Sequence, residues 1–260
     1  MRIEYEDQEI LVIYKEAGLP VQTGRTSQKD VVSLLKNHLA KNAASPLPGE
    51  PYLGIIHRLD QPVEGLLVFA KSPKSAAALS AQASSKNGME KEYQAVVCLN
   101  ESSYPQAIAG MKKDVTLTDW LGRDTATNTA YVTSEDEQGA KRSELVFRTL
   151  WIREGRALLR IRLHTGRHHQ IRVQMAHAGM PLLGDRKYGN IESAETDTGM
   201  MLPDGRKYED RGKAAADIGS GRRTCPLCLC AWRLAFQHPA TGKKMQFCVE
   251  PAFSAAFLSD

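Results

Sequence analysis

The chain has 260 residues, 42% hydrophobic and 25% charged, ordinary proportions for a water-soluble protein with a substantial core. No apolar run approaches a membrane span, and the opening Met1-Arg2-Ile3-Glu4-Tyr5-Glu6-Asp7 lacks the features of signal and transit peptides, so a cytoplasmic protein is expected. The net charge of +4 identifies no partner, but between Lys141 and Asn190 stand 11 Lys or Arg against 3 Asp or Glu. Such a segment suits a polyanion or a solvated face, and charge alone does not choose.

In chain order, Ile10 to Tyr14 is a short apolar run that reads as a buried strand, stopped by Lys15–Leu19 and Pro20. Ser27-x-x-Asp30 resembles a capping box, and Val31, Leu34, Leu35 and Leu39 follow at helical spacing. Lys41 to Pro51 is rich in proline and reads as a loop. Ile55 and Ile56 enter a strand expected to deliver His57-Arg58-Leu59-Asp60 to a turn at Pro62 and Gly65. Gly65 to Lys71 is a further strand, and Ser72-Pro73 caps a helix to about Lys86.

Met89 to Val97, Glu144 to Trp151 and Ala157 to Leu163 alternate like strands. In the last, Ala157, Leu159, Ile161 and Leu163 form one face, while Arg160, Arg162 and His164 share the other. A sheet with one apolar and one basic face can pack on a core and turn its other side to nucleic acid. A helix from about Arg167 to Ala178 closes at Gly179. Ile191 to Arg223 is polar, Gly-rich and aperiodic, and is expected to be a mobile loop. No linker divides the chain, so a single α+β domain with a mixed, mostly antiparallel sheet is expected.

Five cysteines without an export signal imply reduced thiols. Cys225-x-x-Cys228 has zinc-knuckle spacing but no second knuckle follows it. Cys228, Cys230, Trp232, Leu234 and Phe236 alternate instead, which favours a packed strand face over a metal site.

Three clusters could carry chemistry. His57-Arg58-Leu59-Asp60 sets a carboxylate near a guanidinium, either a structural ion pair or a reactive pair. Thr165-Gly166-Arg167-His168-His169-Gln170-Ile171-Arg172 opens a helix with cations, either an anion site or a solvated helix start. His164, His168 and His169 have no carboxylate or cysteine close by in sequence, so no metal is expected there. The third cluster is Lys91-Glu92-Tyr93, opening a strand.

Taken together, these clusters resemble the RluA-type family of RNA pseudouridine synthases. Asp60 followed by Gly65–Lys71, the Lys91/Tyr93 pair, and Thr165–Arg172 followed by Gly184-Asp185-x-x-Tyr188-Gly189 occur in that family's order. Lys15-x-Ala17-Gly18-Leu19-Pro20-Val21 and Ala231-Trp232-Arg233-Leu234-x-Phe236-x-His238-Pro239 are similar to its opening and close. The likeness runs from about residue 8 to Pro251, weakest over 100–140 and absent over 191–223.

The resemblance implies a pseudouridine synthase fold and an isomerase acting on RNA, with ribosomal RNA favoured over transfer RNA and both open, without a cofactor. Asp60 matches the essential aspartate that starts cleavage of the N1–C1′ bond, by attack at C1′ or by removing a 2′ proton. Arg172 matches the arginine that pairs with this aspartate, and Tyr93 the tyrosine that stacks on the base. Arg58 matches the residue that fills the gap left by the flipped nucleotide. His57, Lys91, Arg167, His168, Gln170, Arg160 and Arg162 are expected to contact RNA.

Two positions depart from the family pattern. Val63-Glu64-Gly65 stands where Thr-Ser-Gly is common, and Lys15-Glu16 where Lys-Pro is. The chain opens on the catalytic domain, so the small basic RNA-binding domain of many relatives is expected to be absent, and a monomer is expected. The competing readings are an RNA-binding module whose catalysis has lapsed and a carboxylate-dependent phosphate-ester hydrolase. The first has no need of Asp60, Tyr93 and Arg172 together, and the second lacks the carboxylates to hold a metal.

Overall fold

The computed structural model describes residues 1–24, 28–42, 49–85, 88–189 and 225–254. They form two compact units, Met1–Lys91 with Ala231–Glu250, and Glu92–Cys230 with Pro251–Asp260. The loop expected over 191–223 and the capping residue Ser27 lie outside the described residues. No described helix is long and apolar enough to cross a membrane.

The first unit is built on β1 (Arg2–Glu6), β2 (Ile10–Lys15), β3 (Gly54–Ile55), β4 (Glu64–Ala70) and β11 (Lys244–Cys248), with most of β10 (Leu229–Gln237). Their order is β1-β2-β4-β10, with β3 on β4 and β11 on β10. The ladders β1–β2, β2–β4, β3–β4 and β10–β11 are antiparallel. All seven residues of β4 are buried, which is why Gly65–Ala70 is a continuous apolar run rather than an alternating one. Gly65 has φ +128°, and a Cβ there would lie 2.5 Å from the backbone of Ala231, so only glycine lets β4 and β10 approach.

Helix α1 (Val31–Lys41) is capped by Asp30, whose carboxylate accepts from Ser33 N–H at 2.7 Å. Helix α2 (Pro73–Ser84) is capped by Ser72 with proline in its first turn, as the sequence indicates. Two expectations need correction. Strand β3 ends at Ile55, so 56–60 run outside any strand, and His57–Asp60 reach the turn on an irregular segment rather than on the strand expected from Ile55 and Ile56. Strand β2 extends through Lys15, which is 0% exposed, although a lysine after an apolar run suggested the strand's end.

The second unit holds most of β5 (Glu90–Cys98), then β6 (Val115–Asp124), β7 (Thr129–Thr133), β8 (Lys141–Arg153) and β9 (Arg156–Leu163), in the antiparallel order β5-β9-β8-β6-β7. Helix α3 (Tyr104–Lys112) packs on β8, and α4 (Gln170–His177) on β7 and β6. Neither α3 nor the β6–β7 hairpin is among the elements expected from the sequence, and both lie in segment 100–140, where the family likeness is weakest. A turn does mark the hairpin: Asp124 Oδ1 accepts from the N–H groups of Ala126 and Thr127, and Asn128 adopts φ +52°.

Ala157, Leu159 and Ile161 are buried on one face of β9, as the alternation indicates, but Leu163 is only half-buried, and Leu158, on the face of Arg160, is buried as well. Helix α4 starts three residues later than expected, with His169 at φ +52° as its first flanking residue and no side-chain cap. Strand β10 is buried along most of both faces, Leu229, Ala231 and Ala235 included, so it is a core strand rather than an alternating one. Cys228 and Cys230 are buried, and the Cys228 thiol points to the carbonyl of Pro226 at 3.6 Å.

Candidate active site

In the first unit the segment His57–Asp60 leads into a tight turn, where Val63 N–H donates to the carbonyl of Asp60 at 3.0 Å. Asp60 is half-buried, between buried Leu59 and a second anchored residue, Gln61. Gly18 N–H donates to the Gln61 carbonyl at 2.8 Å, and the Gln61 amide donates back to the Gly18 carbonyl at 3.0 Å. The buried Lys15 ammonium donates to the carbonyls of Leu19, Gln61 and Glu16 at 2.8, 3.0 and 3.1 Å. Three N–H bonds thus meet three carbonyls, which satisfies a cation without a contacting carboxylate.

Burial pushes the Lys15 pKa down to about 7, opposed by the charges of Asp60, Glu64 and Glu16. Glu64, also buried, accepts from the Tyr14 hydroxyl at 2.6 Å. The departure from the family pattern is therefore a core carboxylate bonded to the residue before Lys15, not a surface acid. Lys15 and Glu64 escaped sequence reasoning as working parts, since a Lys beside a turn and a lone Glu ordinarily face solvent.

Of the other candidates in this unit, Arg58 is exposed. His57 Nε2 accepts from Val68 N–H at 3.4 Å, and burial, then the Lys91 charge, push its pKa down to about 3. His57 is therefore neutral at pH 7. Lys91 is half-buried, and burial lowers its pKa too.

In the second unit Tyr93 is buried on β5, in register with Ile161 of β9, which is in register with Phe147 of β8. Directly opposed residues share a sheet face, so Tyr93 stands on the apolar side. Arg172, on α4, is held by Asp185 through a fork of two bonds, Nε to Oδ2 and Nη2 to Oδ1, both 2.8 Å. Its guanidinium lies 5.1 Å from the centroid of the Tyr188 ring. Burial alone would raise the Asp185 pKa. The Arg172 guanidinium and the N–H groups of Lys187 and Tyr188 outweigh that and hold it below the usual carboxylate value.

Gly184 places Asp185: it has φ +78°, and a Cβ there would fall 2.1 Å from the Pro226 carbonyl. The Tyr188 hydroxyl accepts from Ala130 N–H at 2.8 Å and lies 2.6 Å from His169 Nδ1. His169 in turn stacks on His168 with centroids 3.8 Å apart. The motif Gly184-Asp185-x-x-Tyr188-Gly189 was visible in the sequence, but only folding shows that two of its residues hold Arg172 and His169.

Gln170 is buried. Its amide oxygen accepts from Arg167 N–H and the Thr165 hydroxyl, both at 2.9 Å, and its nitrogen donates to the Glu144 carbonyl and Gln174. It locks the turn that presents exposed Arg167, whose Nε donates to the Arg142 carbonyl at 3.2 Å. Arg160 and Arg162 stand on the other face of the sheet from Tyr93, opposite Gln94 and Glu92.

Residues 9–177, which include Asp60, Tyr93 and Arg172, match the profile of the RNA pseudouridylate synthase family. The chain belongs to this family. Ribosomal large subunit pseudouridine synthase D from Vibrio cholerae is 32% identical over 248 residues, covering 95% of this chain and 66% of that protein. The protein of the same name from Escherichia coli O6:H1 is 30% identical over 245 residues, 94% and 65% of the two chains. The chain thus spans about two thirds of the length of these relatives. Among solved structures, human RNA pseudouridylate synthase domain containing 4 superposes with a TM-score of 0.67 at 20% identity, over 98% of this chain and 91% of that one. Human RNA pseudouridylate synthase domain containing 1 gives 0.59, also at 20%. The α+β pseudouridine synthase fold implied by the sequence is the observed fold.

Proposed function

We propose that this chain isomerises uridine in RNA to pseudouridine, with Asp60 as the initiating carboxylate. The observation that carries this reading is the family match through Asp60, Tyr93 and Arg172 on a matching fold. In this reading Asp60 starts cleavage of N1–C1′, at C1′ or at the 2′ proton. The freed uracil turns and C5 bonds to C1′; C5 then loses its proton and N1 regains one, so the product is an isomer and no external reactant is consumed. The Lys15 and Gln61 anchors hold the Asp60 turn, and Asp185 fixes the Arg172 guanidinium as a partner for the ionised aspartate.

Tyr93 offers a ring to the base. Arg58, exposed on a segment without regular structure, is free to enter a vacated base stack, with a planar cation that suits stacking. His57, Lys91, Arg167 and His168 supply further RNA contacts, and Gln170 acts by locking the Arg167 turn. Ribosomal RNA is the proposed substrate, supported by the names of the relatives, and the protein is proposed to act in the cytoplasm as a monomer without cofactor.

The test is carbodiimide labelling of pseudouridine in RNA incubated with wild type and Asp60→Asn. The variant is expected to lose several orders of magnitude in rate while its RNA affinity changes little, because the amide keeps the shape and loses the charge. Turnover within about tenfold of wild type would move the chemistry elsewhere. RNA binding with no pseudouridine from either protein would leave a binding module.

A further inference from the structure

The back of the second unit's sheet, away from Tyr93, carries a charge arrangement that folding alone does not explain. Arg148 of β8 stands directly opposite Arg160 of β9, and Arg160 directly opposite Gln94 of β5. One step along, Arg162 lies between Val146 and Glu92. Directly opposed side chains begin about 5 Å apart, where like charges repel and opposite charges are the favourable choice. The three guanidiniums and Asp114 surround a small surface cavity.

Two of the three cations have carboxylates nearby. Arg148 Nη1 is 3.5 Å from Asp114, and its Nη2 donates to the Lys112 carbonyl at 3.3 Å. Arg162 Nη2 is 3.7 Å from Glu92, longer than a hydrogen bond. Arg160, in the middle and half-buried, makes no hydrogen bond or ion pair among the described residues. Arg160, a partly desolvated guanidinium between two others, thus keeps donors that the neighbouring Asp114, Glu92 and Gln94 do not take up. A tetrahedral oxyanion would accept from Arg148 and Arg160 together and remove their repulsion.

We infer that Arg148, Arg160 and Arg162 form a phosphate site on the sheet face opposite Tyr93, occupied by a backbone phosphodiester of the RNA substrate. The inference rests on the reading of the chain as an enzyme of RNA and adds a contact on the other face of the sheet from the base-stacking tyrosine. It makes the substrate an RNA that reaches both faces, so a short target strand lacks part of the binding surface. These contacts carry no sequence information; they set register and raise affinity.

The test is binding of a fluorescein-labelled RNA hairpin over a range of salt by wild type, Arg160→Ala, Arg148→Ala/Arg160→Ala, Arg160→Lys and, as a control, Asp60→Asn. Each arginine removed is expected to weaken binding several-fold at low salt and to reduce the slope of log affinity against log salt by about 1. Arg160→Lys should keep the slope, and Asp60→Asn should match wild type. Relief of repulsion predicts that Arg160→Ala, without RNA, melts at or above the wild-type temperature.

Unchanged affinity and slope in the double variant, with wild type binding RNA, would overturn the site and leave the proposed activity standing. Competition by millimolar inorganic phosphate as effective as competition by unlabelled RNA would assign the cavity to free phosphate and overturn the RNA contact. Failure of wild type to bind RNA or to make pseudouridine would overturn the proposed function, and this inference with it.

Discussion

Each unit buries a cation beside a proposed catalytic element, and the two solve the electrostatic problem differently. Lys15 is surrounded by three backbone carbonyls, with carboxylates acting on it only through space. Arg172 is clamped by the two oxygens of Asp185 and covered by the Tyr188 ring. Carbonyl dipoles are fixed by the backbone, so Lys15 ties together the chain segments around Asp60. A carboxylate fork fixes the plane of a guanidinium, so Asp185 sets where Arg172 points. One device anchors a turn and the other aims a side chain.

The sharpest way to break the comparison is at Asp185. Asp185→Asn leaves Arg172 buried without its counter-charge and is expected to lower stability by about 3–5 kcal/mol in chemical denaturation. Arg172→Met/Asp185→Leu should recover most of that loss, because well-packed apolar residues can replace a buried pair. It should not recover pseudouridine formation. A double variant as unstable as the single one would mean that the pair does more than balance charge.

Lys15→Met is the next largest. It removes the bonds donated to the carbonyls of Leu19, Gln61 and Glu16, of which, among the described residues, only Gln61 keeps a second donor, Gly18 N–H, at a cost of about 1–3 kcal/mol near neutral pH. The two sites also respond to opposite ends of the pH scale. The folded pKa of Asp185 lies below its ordinary value of 3.8, so its stabilisation is full above that value and is lost as pH falls through the folded pKa.

Lys15 goes the other way: folded it titrates at about 7 and unfolded at 10.5. Between those values the unfolded chain holds the extra proton, so stability relative to Lys15→Met should rise with pH across that window and be flat below it. Denaturation of both proteins from neutral to alkaline pH checks the sign. A difference that stays constant would show that the carbonyls hold the lysine at its ordinary pKa.

The smallest expected effect is at Tyr188. Tyr188→Phe keeps the ring over Arg172 and removes the hydroxyl that accepts from Ala130 and meets His169, costing about 1 kcal/mol. Denaturation measures this, and ring proton shifts should show His168 and His169 changing environment while Arg172 does not. A loss as large as that of Asp185→Asn would make the hydroxyl, not the carboxylate, the main support.

By itself the sequence determined the strands with strong apolar character, Ile10–Tyr14 and Gly65–Lys71 among them, and the alternation of Ala157–Leu163. It also determined the Ser72-Pro73 helix start and the order of the motifs holding Asp60, Tyr93 and Arg172. These are local or ordered signals: propensity, period and residue spacing survive in one dimension. Tertiary structure alone decided that Lys15 lies inside, that Glu64 is bonded to Tyr14, and that Asp185 holds Arg172 across 13 positions of chain. It also set Arg148 against Arg160, a pairing fixed by strand register and by a bulge between Thr149 and Trp151. A charged residue looks the same in sequence whether water or a distant carbonyl satisfies it, and the partner that decides the matter is chosen only when the strands pair.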